Sequence, residues 1–116
     1  MEKLIITHPV TGENNLQVAI NDFQNQMTWP EAIKACSELG SGWRLPSIDE
    51  LDAIYKLAQT NYKLKFQKNR YWCNAEINDN NAWCINFYDG KKEKEGHYSK
   101  KETANYVRAI RITDSF

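Results

Sequence analysis

No stretch of this 116-residue chain is long and apolar enough to span a bilayer, and Met1 to Pro9 lacks the apolar run and small-residue cleavage site of a secretory leader. The sequence as given therefore reads as a soluble chain without membrane insertion, either cytoplasmic or a surface or secreted piece of an exported protein. Cysteine is scarce. Cys36, Cys73 and Cys84 are too few, and odd in number, for a disulfide framework, so reduced thiols are expected. Histidine is scarcer: His8 and His97 sit in turn-like sequence without a motif partner, and no Ser/His/Asp set or metal-ligand spacing appears. Charge of one sign is also lacking, with 15 Lys+Arg against 15 Asp+Glu, and no nucleic-acid motif is present, which argues against a nucleic-acid partner.

Aromatic residues are plentiful: four Trp, six Tyr and four Phe beside an ordinary charged fraction of 26%. That composition suits a compact core, and the length suits one domain over 1–116 that buries about two thirds of the unfolded chain's surface. The pattern centres on Gly42-Trp43-Arg44-Leu45-Pro46, a short link whose apolar residues predict burial. A helix is predicted on each side. Thr28 and Glu31 form a capping box with Pro30 in the first turn, Trp29, Ile33, Cys36 and Leu39 or Gly40 follow at helical spacing, and Gly40 is a natural stop. Ser47 and Glu50 repeat the box, and Ile48, Leu51, Ile54 or Tyr55 and Ala58 make a second stripe. Arg44 is expected to be a fixed, structural guanidinium bonded to backbone carbonyls or to a carboxylate such as Glu50. Trp29, Trp43, Trp72 and Trp83 are all expected in the core.

Strand signals flank the helices. Leu4 to Thr7 and Leu16 to Ile20 are short runs around a turn region, and Leu16, Val18 and Ile20 alternate with Gln17 and Ala19, which predicts one buried face. Gln59 to Asn69, with Tyr62, Leu64 and Phe66 in alternation, reads as a loop or a short edge strand. Tyr71 to Ala75 and Ala82 to Phe87 enclose Glu76 to Asn81 as a hairpin, and Asn105 to Ile112 is a closing strand. The order predicts an α+β domain with two helices packed on a twisted antiparallel sheet.

The balanced charge is unevenly laid out. Residues 1–55 hold eight acids against Lys3, Lys34 and Arg44, a balance of −5, so residues 56–116 carry +5. Lys63, Lys65, Lys68 and Arg70 lie in an acid-free stretch, while Lys91, Lys92, Lys94, His97, Lys100 and Lys101 share one polar excursion diluted by Glu93, Glu95 and Glu102. If the two stretches are neighbours, they offer an anion-binding surface; otherwise they are solvated lysine loops.

Met27-Thr28-Trp29-Pro30-Glu31-Ala32 with Cys36, then Gly42 to Ser47 with Glu50-Leu51, Tyr71-Trp72, Ala82 to Phe87 and Tyr106 to Arg111 resemble, in this spaced order, the Lcl C-terminal-type bacterial domain over about residues 16–112. The resemblance implies an architecture similar to the C-type lectin-like fold, with first and last strands brought together. Its better-known members are adhesin tips and surface proteins that bind glycans, including sulfated ones. Lectin-like folds place Ca²⁺ and sugar sites in loops rich in carboxylate and amide oxygens, which makes Glu76, Asn78, Asp79 and Asn80 weak metal candidates. The Glu-Pro-Asn and Trp-Asn-Asp signatures of calcium-dependent lectins are absent, and the same stretch serves equally as a hairpin turn.

A hairpin centred between Asn78 and Asp79 would set Cys73 opposite Cys84. That leaves open two packed thiols, a cross-strand disulfide, or redox or metal chemistry. Formylglycine-generating enzymes share a related fold and act through cysteine, yet their motifs are not recognisable here. The expectation is a non-catalytic, cofactor-free binding module for acidic or sulfated glycans; the alternative is a protein-interaction domain or a structural domain of a larger assembly.

Overall fold

The computed structural model describes residues 4–61 and 63–113. Both capping boxes form. Thr28 donates its backbone N–H (2.9 Å) and its hydroxyl (3.0 Å) to Glu31 Oε1, and helix α1 runs Trp29–Glu38. Glu50 Oε1 accepts the Ser47 N–H at 2.8 Å, Ser47 Oγ accepts the Glu50 N–H at 3.1 Å, and helix α2 runs Ile48–Ala58. Each box satisfies N–H groups that the first helical turn leaves without partners.

The strands are β1 (Leu4–Ile6), β2 (Leu16–Val18), β3 (Arg70–Glu76), β4 (Ala82–Asn86), β5 (Lys91–Glu93) and β6 (Ile110–Ile112). Together with the helices they make an α+β fold with two small antiparallel sheets, ordered β1-β2-β6 and β3-β4-β5, where one sheet is expected. The segment before β6 explains the division. Asn105 exchanges backbone bonds with Met27, Tyr106 bonds Arg70 and Trp72, Val107 accepts from Phe23, Ala109 accepts from Ala19, and Ile110 exchanges bonds with Arg44. Spread over so many neighbours, residues 105–109 form a strap between the sheets, and only Ile110–Ile112 joins a ladder. The stretch Gln59 to Asn69 forms no strand among its described residues; Tyr62 lies outside them.

Tyr71, Trp72 and Cys73 are all fully buried because both faces of the β3-β4-β5 sheet are covered. On one face Tyr71, Cys73 and Ile85 pack with Leu51 and Ile54 of α2, and with Leu16, Val18 and Ile110 from the other sheet. On the other face Trp72, Ala82 and Cys84 pack with Ala32 and Cys36 of α1, and with Leu45, Val107 and Ala109. The helices therefore sandwich this sheet. Each aliphatic side chain withdrawn from water in this way contributes roughly 2 kcal/mol.

The buried face of α1 is narrower than the predicted stripe. Ala32 and Cys36 are buried, whereas Ile33 (43%) and Leu39 (50%) are exposed. Ile20 is exposed too, since the chain leaves the ladder after Val18. Of the indoles only Trp72 is fully buried, its Nε1–H donating to the Met27 carbonyl at 2.9 Å. Trp29, Trp43 and Trp83 are partly buried, and a cation covers each: Lys101 at 4.8 Å, Arg111 at 4.8 Å and Lys94 at 5.8 Å from the ring centroids.

Candidate functional site

The loop after α2 forms no helix or strand among its described residues, and its backbone is held by side chains from elsewhere. Arg108, 3% exposed, donates to the Lys65 carbonyl at 2.6 Å, to the Ala19 carbonyl at 3.0 Å and to Asp22 Oδ1 at 2.7 Å. Its guanidinium lies 4.1 Å from the centroid of the Phe66 ring. Tyr71 Oη donates to Asp22 Oδ2 at 2.7 Å and accepts the Gln67 N–H at 2.8 Å. Burial, and then the Asp22 carboxylate beside it, push the Tyr71 hydroxyl well above the ordinary phenol value, which keeps it a donor. Downstream, the Phe87 N–H donates to the Asn69 carbonyl at 2.8 Å.

These tethers shape a groove of about 550 Å³ between the end of α2, the 63–68 loop and the turn after β4. Leu64, Phe66 and Phe87 supply its apolar lining, while Gln59, Asn61, Lys65, Gln67, Lys68 and Tyr88 bring polar and aromatic groups. Phe66 and Phe87 continue into a ring cluster with Tyr71 and Tyr55, at centroid separations of 4.6 to 5.3 Å. Tyr88 projects from the turn with 73% of its surface exposed. Gly90 makes that turn possible: its φ is +82°, and a Cβ there would stand 2.5 Å from Tyr55 Cε2.

The ten basic candidates do not gather at one place. Lys65 and Lys68 line the groove. Lys100 and Lys101 line a second cleft of about 380 Å³ with Asp79, Asn80, Asn81 and Glu102. Asn81 pairs with Lys100 at the hairpin end of β4, while Phe87 follows its other end, so the two depressions are separated by about 20 Å of strand. Arg70 joins the two stretches, but as an internal tie: it bonds Glu93 at 3.1 Å, and its guanidinium lies 3.8 Å from the Tyr98 ring centroid. Lys101 pairs with Glu76. Among the described residues, Lys63, Lys65, Lys68, Lys91, Lys92, Lys94, His97 and Lys100 have no acidic partner.

The weak metal candidates are engaged in local bonding. Glu76 is taken by Lys101, and Asn78 Oδ1 accepts the N–H groups of Asn80 at 2.9 Å and Asn81 at 2.8 Å, the bonding of an Asx turn. Among the described residues no cluster of three or more His, Cys, Asp or Glu side chains could hold a metal ion.

The expected opposition of Cys73 and Cys84 does not occur. Trp72 faces Cys84, and the register shifts between Trp72 and Glu76, where the Asn74 N–H donates to the Pro46 carbonyl at 2.8 Å. Cys73 and Cys84 consequently belong to different cores on opposite faces, and all three thiols are free and buried. Burial pushes Cys36 and Cys84 up to about 12, with Glu93 adding to the rise at Cys84. Thiols held in this state are poor nucleophiles and poor metal ligands.

The Lcl C-terminal domain family matches residues 9–111. The chain belongs to that family. No curated protein matches it. The match begins ahead of the 16–112 resemblance and so takes in the turn that follows His8.

In this Lcl C-terminal domain the Gly42 to Ser47 link surrounds a carboxylate hub that sequence reading only half anticipates. Glu50, 2% exposed, accepts Arg44 Nη1 at 2.8 Å on Oε1 and Arg44 Nη2 at 2.9 Å on Oε2. Arg44 also donates to the Leu45 carbonyl at 3.1 Å. His8, 42 residues away from Glu50 in sequence, completes the hub with its Nε2 2.7 Å from Glu50 Oε2. His8 Nδ1 faces the N–H groups of Val10 at 3.1 Å and Thr11 at 3.4 Å, which assigns the proton to Nε2 and occupies both ring nitrogens internally. Burial alone would raise Glu50, but the bonds from Arg44, Ser47 and His8 outweigh it and hold the carboxyl at about 2. Only the Glu50 half of this arrangement carries a sequence signal, the capping box; nothing local to His8 announces its partner.

Proposed function

We propose that this domain is a non-catalytic binding module of C-type lectin-like type whose ligand is an acidic or sulfated glycan. The observation that supports it is the division of charge. Asp22 and Glu50 of the acidic first half are spent on internal pairs with Arg108 and Arg44, and Asp52 on a surface pair with Lys56, while the lysines of 63–68 and 91–94 face solvent without acidic partners among the described residues. Cationic groups left open in this way attract anions at long range and bind them in a salt-dependent manner. The buried, protonated thiols and the internally bonded His8 favour binding over covalent chemistry.

The test is a glycan array probed at low salt and again at about 0.15 M salt, where screening over about 8 Å weakens exposed charge interactions. The reading expects uronate-bearing or sulfated glycans to be retained and their signal to fall with salt. Silence across the array at both salt levels would sink it and return the domain to the protein-interaction or structural reading.

A further inference from the structure

We infer that the groove beside Tyr88 is the primary saccharide subsite of this domain, seating one acidic or sulfated sugar unit with its ring on Tyr88 and its anionic group at Lys65 and Lys68. This rests on the glycan-binding reading and narrows it to one place. A groove of about 550 Å³ lies within the span of roughly 300 to 1,000 Å³ usual for small-ligand sites. Sugar recognition asks for a free aromatic face against the ring's C–H groups, planar amides for hydroxyls, and a cation for the acid. All three occur together here.

Tyr88 is open where the indoles are not. Trp29, Trp43 and Trp83 each have a cation over the ring, while Tyr88 has neither a cation nor a second ring against it among the described residues. The amides are only partly used. Asn61 Oδ1 accepts the Lys63 N–H and Gln59 Nε2 donates to the Tyr55 carbonyl, which leaves the Asn61 amino group and the Gln59 oxygen for hydroxyls. The second cleft is poorer: Lys101 there is neutralised by Glu76, and Asp79 and Glu102 add negative charge.

The groove is also held in shape from beneath. Arg108 fixes the Lys65 carbonyl and Tyr71 fixes the Gln67 N–H, with Asp22 joining the two. Less of the binding free energy is then spent on ordering the loop. Asp22, Tyr71 and Arg108 are positioning residues, since they meet the loop and not the sugar.

Titration calorimetry with a heparin-derived oligosaccharide, and with a hyaluronan oligosaccharide that carries carboxylates but no sulfate, tests the assignment. The exposed changes Lys65→Ala with Lys68→Ala, and separately Tyr88→Ala, should each weaken whichever glycan binds by about ten-fold or more, or about 1.4 kcal/mol. Lys34→Ala, an exposed lysine on α1 that does not line the groove, should change affinity less than about two-fold. Tyr71→Phe keeps the ring but leaves the Gln67 N–H without its acceptor. It should weaken binding about three-fold and speed amide exchange at Gln67 while α1 exchange stays unchanged. If the parent binds and the groove variants bind like it, this assignment is wrong while the module reading stands. If the parent binds neither glycan, both fail.

Discussion

Replacing Glu50 by Gln keeps the shape of the side chain and removes its charge, which makes the hub of the Gly42 to Ser47 link open to direct measurement. Each carboxylate oxygen accepts two donors: Oε1 takes Arg44 Nη1 and the Ser47 N–H, and Oε2 takes Arg44 Nη2 and His8 Nε2. A glutamine offers one oxygen and one NH₂ group, so in either orientation its NH₂ confronts two donors, and Arg44 loses its counter-charge. The Arg44 side chain is 39% exposed, so water recovers part of its lost partner and the cost falls at or below the lower end of the about 3 to 5 kcal/mol typical of a fully buried pair. Linkage gives a second, independent figure. The Glu50 carboxyl lies at about 2, against an ordinary value of 4.5. That difference corresponds to about 3 kcal/mol of stability carried by the ionised form. Because the folded value is the lower one, this stability is fully present above pH 4.5 and is lost as pH falls from 4.5 toward 2. Urea unfolding followed by tryptophan fluorescence, on the parent and Glu50→Gln from pH 7 down to about 2.5, should show a gap near 3 kcal/mol that closes through the acid window. A gap below about 1 kcal/mol at pH 7, or parallel curves through the window, would refute the reasoning.

Three other perturbations probe other parts of the fold. Asp22→Ala leaves Arg108 buried without a carboxylate and should cost about 3 kcal/mol in urea unfolding; a loss below about 1 kcal/mol would mean that the Ala19 and Lys65 carbonyls suffice. Gly90→Ala combines a positive φ with a Cβ driven against Tyr55, and should cost about 2 to 4 kcal/mol, read as a lower urea midpoint at unchanged slope. For the cysteines, the native protein should react slowly with a thiol reagent and release three thiols on unfolding, and reductant should not move Tm; an intact mass two hydrogens short would overturn the free-thiol assignment.

The elements most legible in the sequence are those whose cause is local. Thr28 with Glu31 and Ser47 with Glu50 are each separated by three residues, so cap, first turn and helix can be read together, and both helices form there. What depends on distant partners was not legible. The bulge in β3 arises because the Asn74 N–H bonds Pro46, outside the hairpin, and no pattern within 71–87 signals that loss of register. The closing run 105–112 has strand composition along its length, yet its first half shares its hydrogen bonds between residues 19–27 and residues 70–72. At the candidate site the lysines could be read as charge but not as geometry. Lys65 and Lys68 share a groove whose loop is held by Arg108, some forty residues on, and by Tyr71. Of the four indoles expected in the core, Trp72 lies there fully buried, while Trp29, Trp43 and Trp83 are only partly buried under cations, and a separate ring cluster is made by Tyr55, Phe66, Tyr71 and Phe87.

Because residues 105–109 hydrogen-bond to Ala19, Phe23, Met27, Arg70 and Trp72, the polypeptide cannot settle in the order in which it is synthesised. As the ribosome advances, earlier segments have only half-covered surfaces until the strap emerges and stitches them together. A chain interrupted before Asn105 should therefore be a client for chaperones and proteases.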